Sequence, residues 1–194
     1  VRQSAPQLRI TIKSGDIRRC AEYLRDGELE FAMAFTKQRV EEFHQMRLYP
    51  QRIMCLVSRQ HPRIGETLSL DEFLAEDHIA WGAEPVPYPA LEYLVDQALG
   101  AVGATRKIVV RVASLSVSAA LVARTDLLAV VPHRLANRPD ITEACRMLPL
   151  PFLTEGFDVE LLWHARWHRD PTHVWLRRAF RTVARDLCNQ FARI

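Results

Sequence analysis

An α/β fold with parallel strands is predicted for this chain of 194 residues by three observations. Short apolar runs alternate with segments of helical period. Gly, Pro, Asp and Ser punctuate the boundaries between them. Several of the runs are apolar at successive positions, as in strands covered on both faces.

The first element is read from Leu8, Ile10 and Ile12, which alternate with Arg9, Thr11 and Lys13 in the period of a half-buried strand that ends at a Ser14-Gly15 turn. A helix follows, with Asp16 as its cap, an apolar face of Ile17, Cys20, Ala21 and Leu24, and Gly27 as its stop. Glu30 to Phe35 reads as a buried strand. Leu48 to Ser58 holds the run Ile53-Met54-Cys55-Leu56-Val57, a second buried strand closed by His61-Pro62. Next come a short helix (69–76), a strand (78–81), a loop carrying Pro85, Pro87 and Pro89, and a helix over 90–99. Lys107 to Val112 is a strand, Ser114 to Arg124 a helix apolar nearly all round, and Leu127 to Val131 a strand stopped by Pro132. Two β-rich pieces, 145–150 and 157–164, precede a long amphipathic helix that Asp170 caps with Pro171 at its first position.

Composition narrows the function classes. With 48% apolar and 25% charged residues the chain lies outside the disordered and fibrous classes. Its longest apolar stretches fall far below the roughly 18 residues of a membrane span, so no membrane partner is expected. The net charge of +3, from 26 basic and 23 acidic residues, is too small to argue for nucleic-acid binding. Cys20, Cys55, Cys145 and Cys188 lie far apart with no C-x-x-C pair, which fits reduced thiols of the cytoplasm better than a disulfide framework or a zinc ribbon. No G-x-S-x-G elbow, Walker loop or H-E-x-x-H is present, and no catalytic residue, metal or cofactor is expected. Gly100 and Gly103 follow a helix and read as a turn, not a dinucleotide fingerprint.

Several residues stand where a ligand site forms. Ser114, Ser116 and Ser118 open a helix after a strand, where free amides and partial positive charge either take an ordinary cap or meet an anionic ligand. Thr36 lies just past a strand end, with Phe43 and His44 as an aromatic wall, and His78 begins another strand. His164, near a strand end, either lines a cleft or faces water. His164, His168 and His173 with Asp170 read as a polar loop, because a strand, a loop and a capped helix do not hold three imidazoles on one surface.

The run Leu24-Arg25-Asp26-Gly27-Glu28-Leu29-Glu30 before Phe31-Ala32-Met33-Ala34, then His61-Pro62, then Asp126-Leu127-Leu128-Ala129-Val130-Val131-Pro132, resembles the effector-binding domain of LysR-type transcriptional regulators over nearly the whole chain. Trp163-His164-Ala165-Arg166, Arg169-Asp170-Pro171 and Trp175-Leu176-Arg177 look like the branch of nodulation-gene and naphthalene/salicylate-degradation regulators. Glu30 stands where the family more often has Asp. The resemblance implies a two-lobed fold like type 2 periplasmic binding proteins, with two crossing strands and an interlobe cleft. Residues 1–62 and 153–194 would form lobe I and 63–152 lobe II, with crossings near 60–63 and 150–153. It places a small-molecule effector, an aromatic acid or phenol, near Thr36, Phe43, His44, His78, Ser114, Ser116, Arg166 and Arg169. An arginine would match the carboxylate. It also implies a homodimer or homotetramer, with residues 8–13 and 90–99 at an antiparallel contact, and promoter DNA bound through a winged helix-turn-helix absent from this chain. The domain's first strand and helix would precede Val1, so the chain reads as a fragment. The rival expectations are a periplasmic-type solute-binding protein and, behind it, an enzyme on the same fold.

Overall fold

The structure is a computed structural model that describes residues 4–13, 16, 19–34, 41–82, 90–153 and 156–191. In chain order the elements are α1 (Cys20–Asp26), β1 (Ala32–Ala34), β2 (Phe43–Gln51), β3 (Ile53–Ser58), α2 (Leu70–Ala75), β4 (Asp77–Trp81), α3 (Ala90–Ala101), β5 (Lys107–Val112), α4 (Leu115–Val122), β6 (Leu128–Pro132), a 3-10 turn (His133–Asn137), α5 (Pro139–Thr142), β7 (Cys145–Pro149), β8 (Phe157–His164), a second 3-10 turn (Ala165–Trp167) and α6 (Pro171–Phe191). They form two compact units, Val1–Pro50 with Asp158–Ile194, and Gln51–Phe157. The chain therefore crosses at 50/51 and 157/158, not at the expected 60–63 and 150–153. The reason lies in β3, whose six residues lie inside the second unit's sheet, between β6 and β7, instead of ending the first unit. The expected single strand within 48–58 is two strands, broken at Arg52 and belonging to different sheets.

The second unit is a five-stranded sheet of order β5-β4-β6-β3-β7. Strand β4 runs parallel to β5 and β6, while β3 is antiparallel to both β6 and β7. The sheet is thus mixed where parallel strands were expected, because β3 enters the unit without a helical crossover. Strands β3, β4 and β6 are buried on both faces, whereas the edge strand β5 exposes alternate residues. Ile53, Cys55 and Val57 of β3 and Leu128 and Val130 of β6 join one core with Phe73 of α2 and Leu91, Val95 and Leu99 of α3. Leu56 of β3 and Ala129 and Val131 of β6 turn to the opposite core, with Ala119 and Val122 of α4. Period-two side chains feeding two cores explain why these strands read as unbroken apolar runs.

Local chemistry sets the helix ends. Ser69 and Glu72 form a reciprocal capping box at α2. Gly27 ends α1 at φ 79°, a conformation that favours glycine. The Asp170 carboxylate accepts the His173 backbone N–H at 2.9 Å and starts α6. Asp16, in contrast, does not cap α1. Arg19 holds that position without a side-chain cap, and the Asp16 carbonyl accepts the Arg19 N–H instead.

The first unit carries a three-stranded sheet of order β1-β8-β2. Leu162 of β8 packs with Leu24, Ala32 and Ala34 on one side, and Leu161 and Trp163 pack with Leu48 and Ala184 on the other. The expected strand over 8–13 does not form, and Ile10 and Ile12 are 59% and 92% exposed. A period-two pattern becomes a strand only when a neighbour takes its N–H and C=O groups, and among the described residues β1 pairs with β8 alone. The Ser14-Gly15 turn, Ile17 and the loop with Pro85, Pro87 and Pro89 lie outside the described residues.

Candidate functional site

The second unit brings its candidate edge together by topology. From β4 the chain passes through α3 on one face of the sheet to β5, then through α4 on the opposite face to β6, on the other side of β4. The strand order therefore reverses between β4 and β6. In open α/β sheets ligands bind outside the carboxyl ends of the strands at such a point. Here that edge is formed by Trp81, the last residue of β4, with Gly82 after it, and by Ala113 and Ser114 after β5. Gly82 N–H donates to the Val112 carbonyl at 2.7 Å, and the Trp81 indole N–H donates to the Ala113 carbonyl at 3.3 Å.

Ser114 is the N-cap of α4, its hydroxyl accepting the Ser116 N–H at 3.2 Å. Ser116 is turned to other work. Its hydroxyl accepts from the Arg138 guanidinium at 3.0 Å, and it borders an open, mainly apolar depression of about 420 Å³ with Val117, Ala120, Leu121 and Arg124. Ser118 is buried under the helix.

His78 does not reach this edge. It sits at the opposite end of β4, three residues before Trp81 and so roughly 10 Å away along the strand. It is 0% exposed, and its Nε2 lies 2.8 Å from the Phe73 carbonyl. Burial lowers its pKa from 6.5 to about 4, against the pull of that hydrogen bond and with help from the Arg106 charge. The folded chain then keeps His78 neutral between pH 6.5 and 4 while the unfolded chain takes up a proton. Stability should therefore be full above pH 6.5 and fall by about 3 kcal/mol as pH drops to 4. Urea unfolding across that range checks this, with His78→Gln expected to flatten the profile relative to wild type.

In the first unit the remaining candidates converge where β2 begins and β8 ends, a junction closed by the Ala165 N–H donating to the Glu42 carbonyl at 2.9 Å. Phe43 meets His164 edge to face at 5.6 Å. His44 stacks on His168 at 3.8 Å and lies 5.7 Å from Trp163, over which the Arg177 guanidinium sits at 4.6 Å. The His168 pKa is lowered, first by loss of solvent under these rings and then by His44, Arg177 and Arg169. Arg166 is not idle: its Nε and backbone N–H point to His164 Nδ1, both at 3.1 Å, and its Nη2 donates to the Arg25 carbonyl. Arg169 is exposed. Thr36 lies outside the described residues. His173 is separated from this cluster, stacked on Trp167 at 4.8 Å, and among the described residues no group of three metal-ligating side chains forms.

Two features escaped the sequence. Glu92 of α3 and Arg106 before β5 form a buried ion pair, each side chain 1% exposed. Burial pushes the Glu92 carboxyl up, while Arg106 and the Trp81 N–H pull it back. The second feature is the work done by His61 and Asp126. His61 Nδ1 accepts the N–H groups of Arg63 and Ile64 at 3.2 and 3.0 Å, and its Nε2 donates to the Asp126 carbonyl at 3.0 Å. Arg63 ties Glu76 to the Asp126 carboxylate. The His-Pro and Asp-Leu-Leu motifs thus meet as a structural clasp.

The family model described as the LysR substrate binding domain matches residues 1–185, and the chain belongs to that family. It is 26% identical over 178 residues to the HTH-type transcriptional activator NagR of Ralstonia sp., covering 92% of this chain and 58% of that protein. Against the HTH-type transcriptional activator NahR of Pseudomonas putida it is 30% identical over 155 residues, covering 80% and 50%. The chain thus spans about half the length of the curated relatives it matches. Among solved structures, the regulatory domain of MexT, a transcriptional activator in Pseudomonas aeruginosa, aligns with TM-score 0.71 and 22% identity over 93% of this chain and 86% of that one. The effector binding domain of QuiR in complex with shikimate aligns with TM-score 0.68 and 14% identity over 94% and 82%. The fold is that of LysR effector-binding domains, two α/β units in one chain.

Proposed function

We propose that this chain is the small-molecule sensor of a cytoplasmic transcriptional regulator that binds promoter DNA through a separate domain, and that its effector is a planar aromatic acid or phenol. The observation that carries this is the switch-point edge of the second unit, where Trp81 and Ser114 stand side by side in a chain of the LysR substrate-binding family. Such an edge offers a ring face and a hydroxyl at a helix start, which suit a flat ligand bearing a polar group.

At this edge Ser114 and Ser116 are the proposed contacts; in the first unit Phe43, His44, Arg166 and Arg169 are proposed as effector residues, as is Thr36. Arg169, exposed and outside the Arg166 network, is the arginine best placed to take a carboxylate. His78, buried at the other end of β4, is not among the proposed contacts. NagR and NahR, both transcriptional activators, support the regulatory role, and shikimate in the QuiR domain supports a small carboxylic acid as the kind of ligand. Regulation then comes from differential affinity: the effector shifts the parent protein only as far as it binds one arrangement of the domain better than another. The chain self-associates as a dimer or tetramer through residues 8–13 and α3.

A thermal-shift screen against aromatic acids, phenols, flavonoids and amino acids, with light scattering alongside, tests this. A compound at 100 times its dissociation constant is expected to stabilise the fold by about 2.7 kcal/mol. Stabilisation by one chemical class, on a dimer or larger species, is the expected result. A folded chain that no class stabilises overturns the proposal.

A further inference from the structure

We propose that Glu92 and Arg106 are positioning residues for the effector-binding edge, acting through Trp81. This rests on the effector-sensing function proposed above.

The argument begins with a gap in the sheet. The ladder between β4 and β6 covers only His78 and Ile79, opposite Leu128 and Ala129. Beyond Ile79 the β6 side of β4 has no strand partner, and a buried N–H without an acceptor is costly. Glu92 fills that need from α3: one carboxylate oxygen accepts the Trp81 backbone N–H at 2.8 Å, and the other receives the Arg106 guanidinium. Arg106 is oriented in turn by Asp96, through Nε at 3.1 Å and Nη2 at 2.9 Å. On its other side Trp81 is held by the Ala113 carbonyl, one residue before Ser114, and Gly82 by the Val112 carbonyl. Trp81 is therefore fixed at the edge by its main chain and by its indole.

A buried ion pair is a poor source of stability, since apolar residues of similar volume commonly do as well or better. The Glu92–Arg106 pair sits beside the apolar core of Leu91, Val95 and Leu99, where such a replacement would pack. What an apolar pair could not do is accept the Trp81 N–H. The charged pair keeps the strand end and its indole in place where β4 parts from β6, and preorganisation of that kind lowers the cost of binding.

Two double variants separate positioning from stability. E92L/R106M removes both charges and the acceptor; E92Q/R106M removes both charges and keeps an amide oxygen for the Trp81 N–H. The readouts are hydrogen exchange of the Trp81 and Gly82 amides by NMR, without ligand, and the affinity for salicylate as a planar aromatic acid. In E92L/R106M, exchange is expected to quicken and salicylate to bind about tenfold more weakly, with E92Q/R106M within about threefold of wild type. Unchanged exchange or unchanged affinity in a folded E92L/R106M overturns the proposal. Trp81→Phe, which keeps the ring and loses the bond to Ala113, guards against a misfolded double variant: wild-type affinity in that protein also overturns it. Wild-type chain that ignores salicylate and the rest of the panel defeats the sensing function instead, and the exchange data still decide whether Glu92 anchors Trp81.

Discussion

Phe73→Ala is expected to destabilise the chain by about 3–5 kcal/mol, a large part of the stability of a domain this size. Phe73 is 0% exposed in the core beneath β3 and β6, with its ring 4.4 Å from His78 and 5.0 Å from Phe152. Truncation would leave a cavity bordered by sheet residues that cannot collapse into it, because they are fixed on both sides by ladders. It would also strip the cover from the His78 ring, while the Phe73 carbonyl, being backbone, would still be there to bond it. Equilibrium urea unfolding gives the value, and Phe73→Leu, which keeps more of the volume, should lose less. A loss below about 1 kcal/mol would mean that the core under α2 is looser than its burial says.

Arg106→Met is the second large effect. Removing one partner of a buried pair leaves the other charge uncompensated, at a cost of about 3–5 kcal/mol. Glu92 would then keep only the Trp81 N–H. The pH dependence has a definite sign. With its carboxyl pushed up in the folded state, Glu92 holds a proton that the unfolded chain gives up, so the variant should lose stability as pH rises through the carboxylate range and regain it as pH falls. Adding Glu92→Leu to Arg106→Met should recover most of the loss, since no charge then stays buried. Denaturation of the single and double variants at two pH values reads both effects.

Much of the second unit was legible because its signal is local. The apolar runs of β3 and β6 are each written within a few residues, as is the Asp170-Pro171 helix start in the first unit. The first unit was less so. Leu8, Ile10 and Ile12 carry the period of a strand, yet pairing depends on a neighbour that a short window cannot supply. Likewise the break at Arg52 divides what reads as one apolar strand, because sheet membership is decided by contacts with β6, β7 and β8 far along the chain. For the candidate site, Ser114 followed from its place after a strand. His78 carried the same kind of signal but begins a strand instead of following one, which puts it at the buried end. Glu92 and Arg106 gave no signal, for a helical Glu and a pre-strand Arg fourteen residues apart look like solvated charges until the fold sets them face to face. The clasp of His61 and Asp126 shows the converse: motifs that mark the family were visible at once, while their job is structural.

The most direct measurement of the central claim is a calorimetric titration of the chain with salicylate and the compound that ranks first in the thermal screen, repeated on Ser114→Ala and Ser114→Asn. One saturable site per chain is expected, weakened about tenfold or more in Ser114→Ala if its hydroxyl meets the ligand. Ser114→Asn, which keeps a cap acceptor for the α4 amides, separates loss of ligand contact from loss of the helix start. Saturable binding that responds to Ser114 confirms a sensor with its site at the switch-point edge. Absence of saturable heat for every compound on a folded chain, or full affinity in Ser114→Ala, contradicts it.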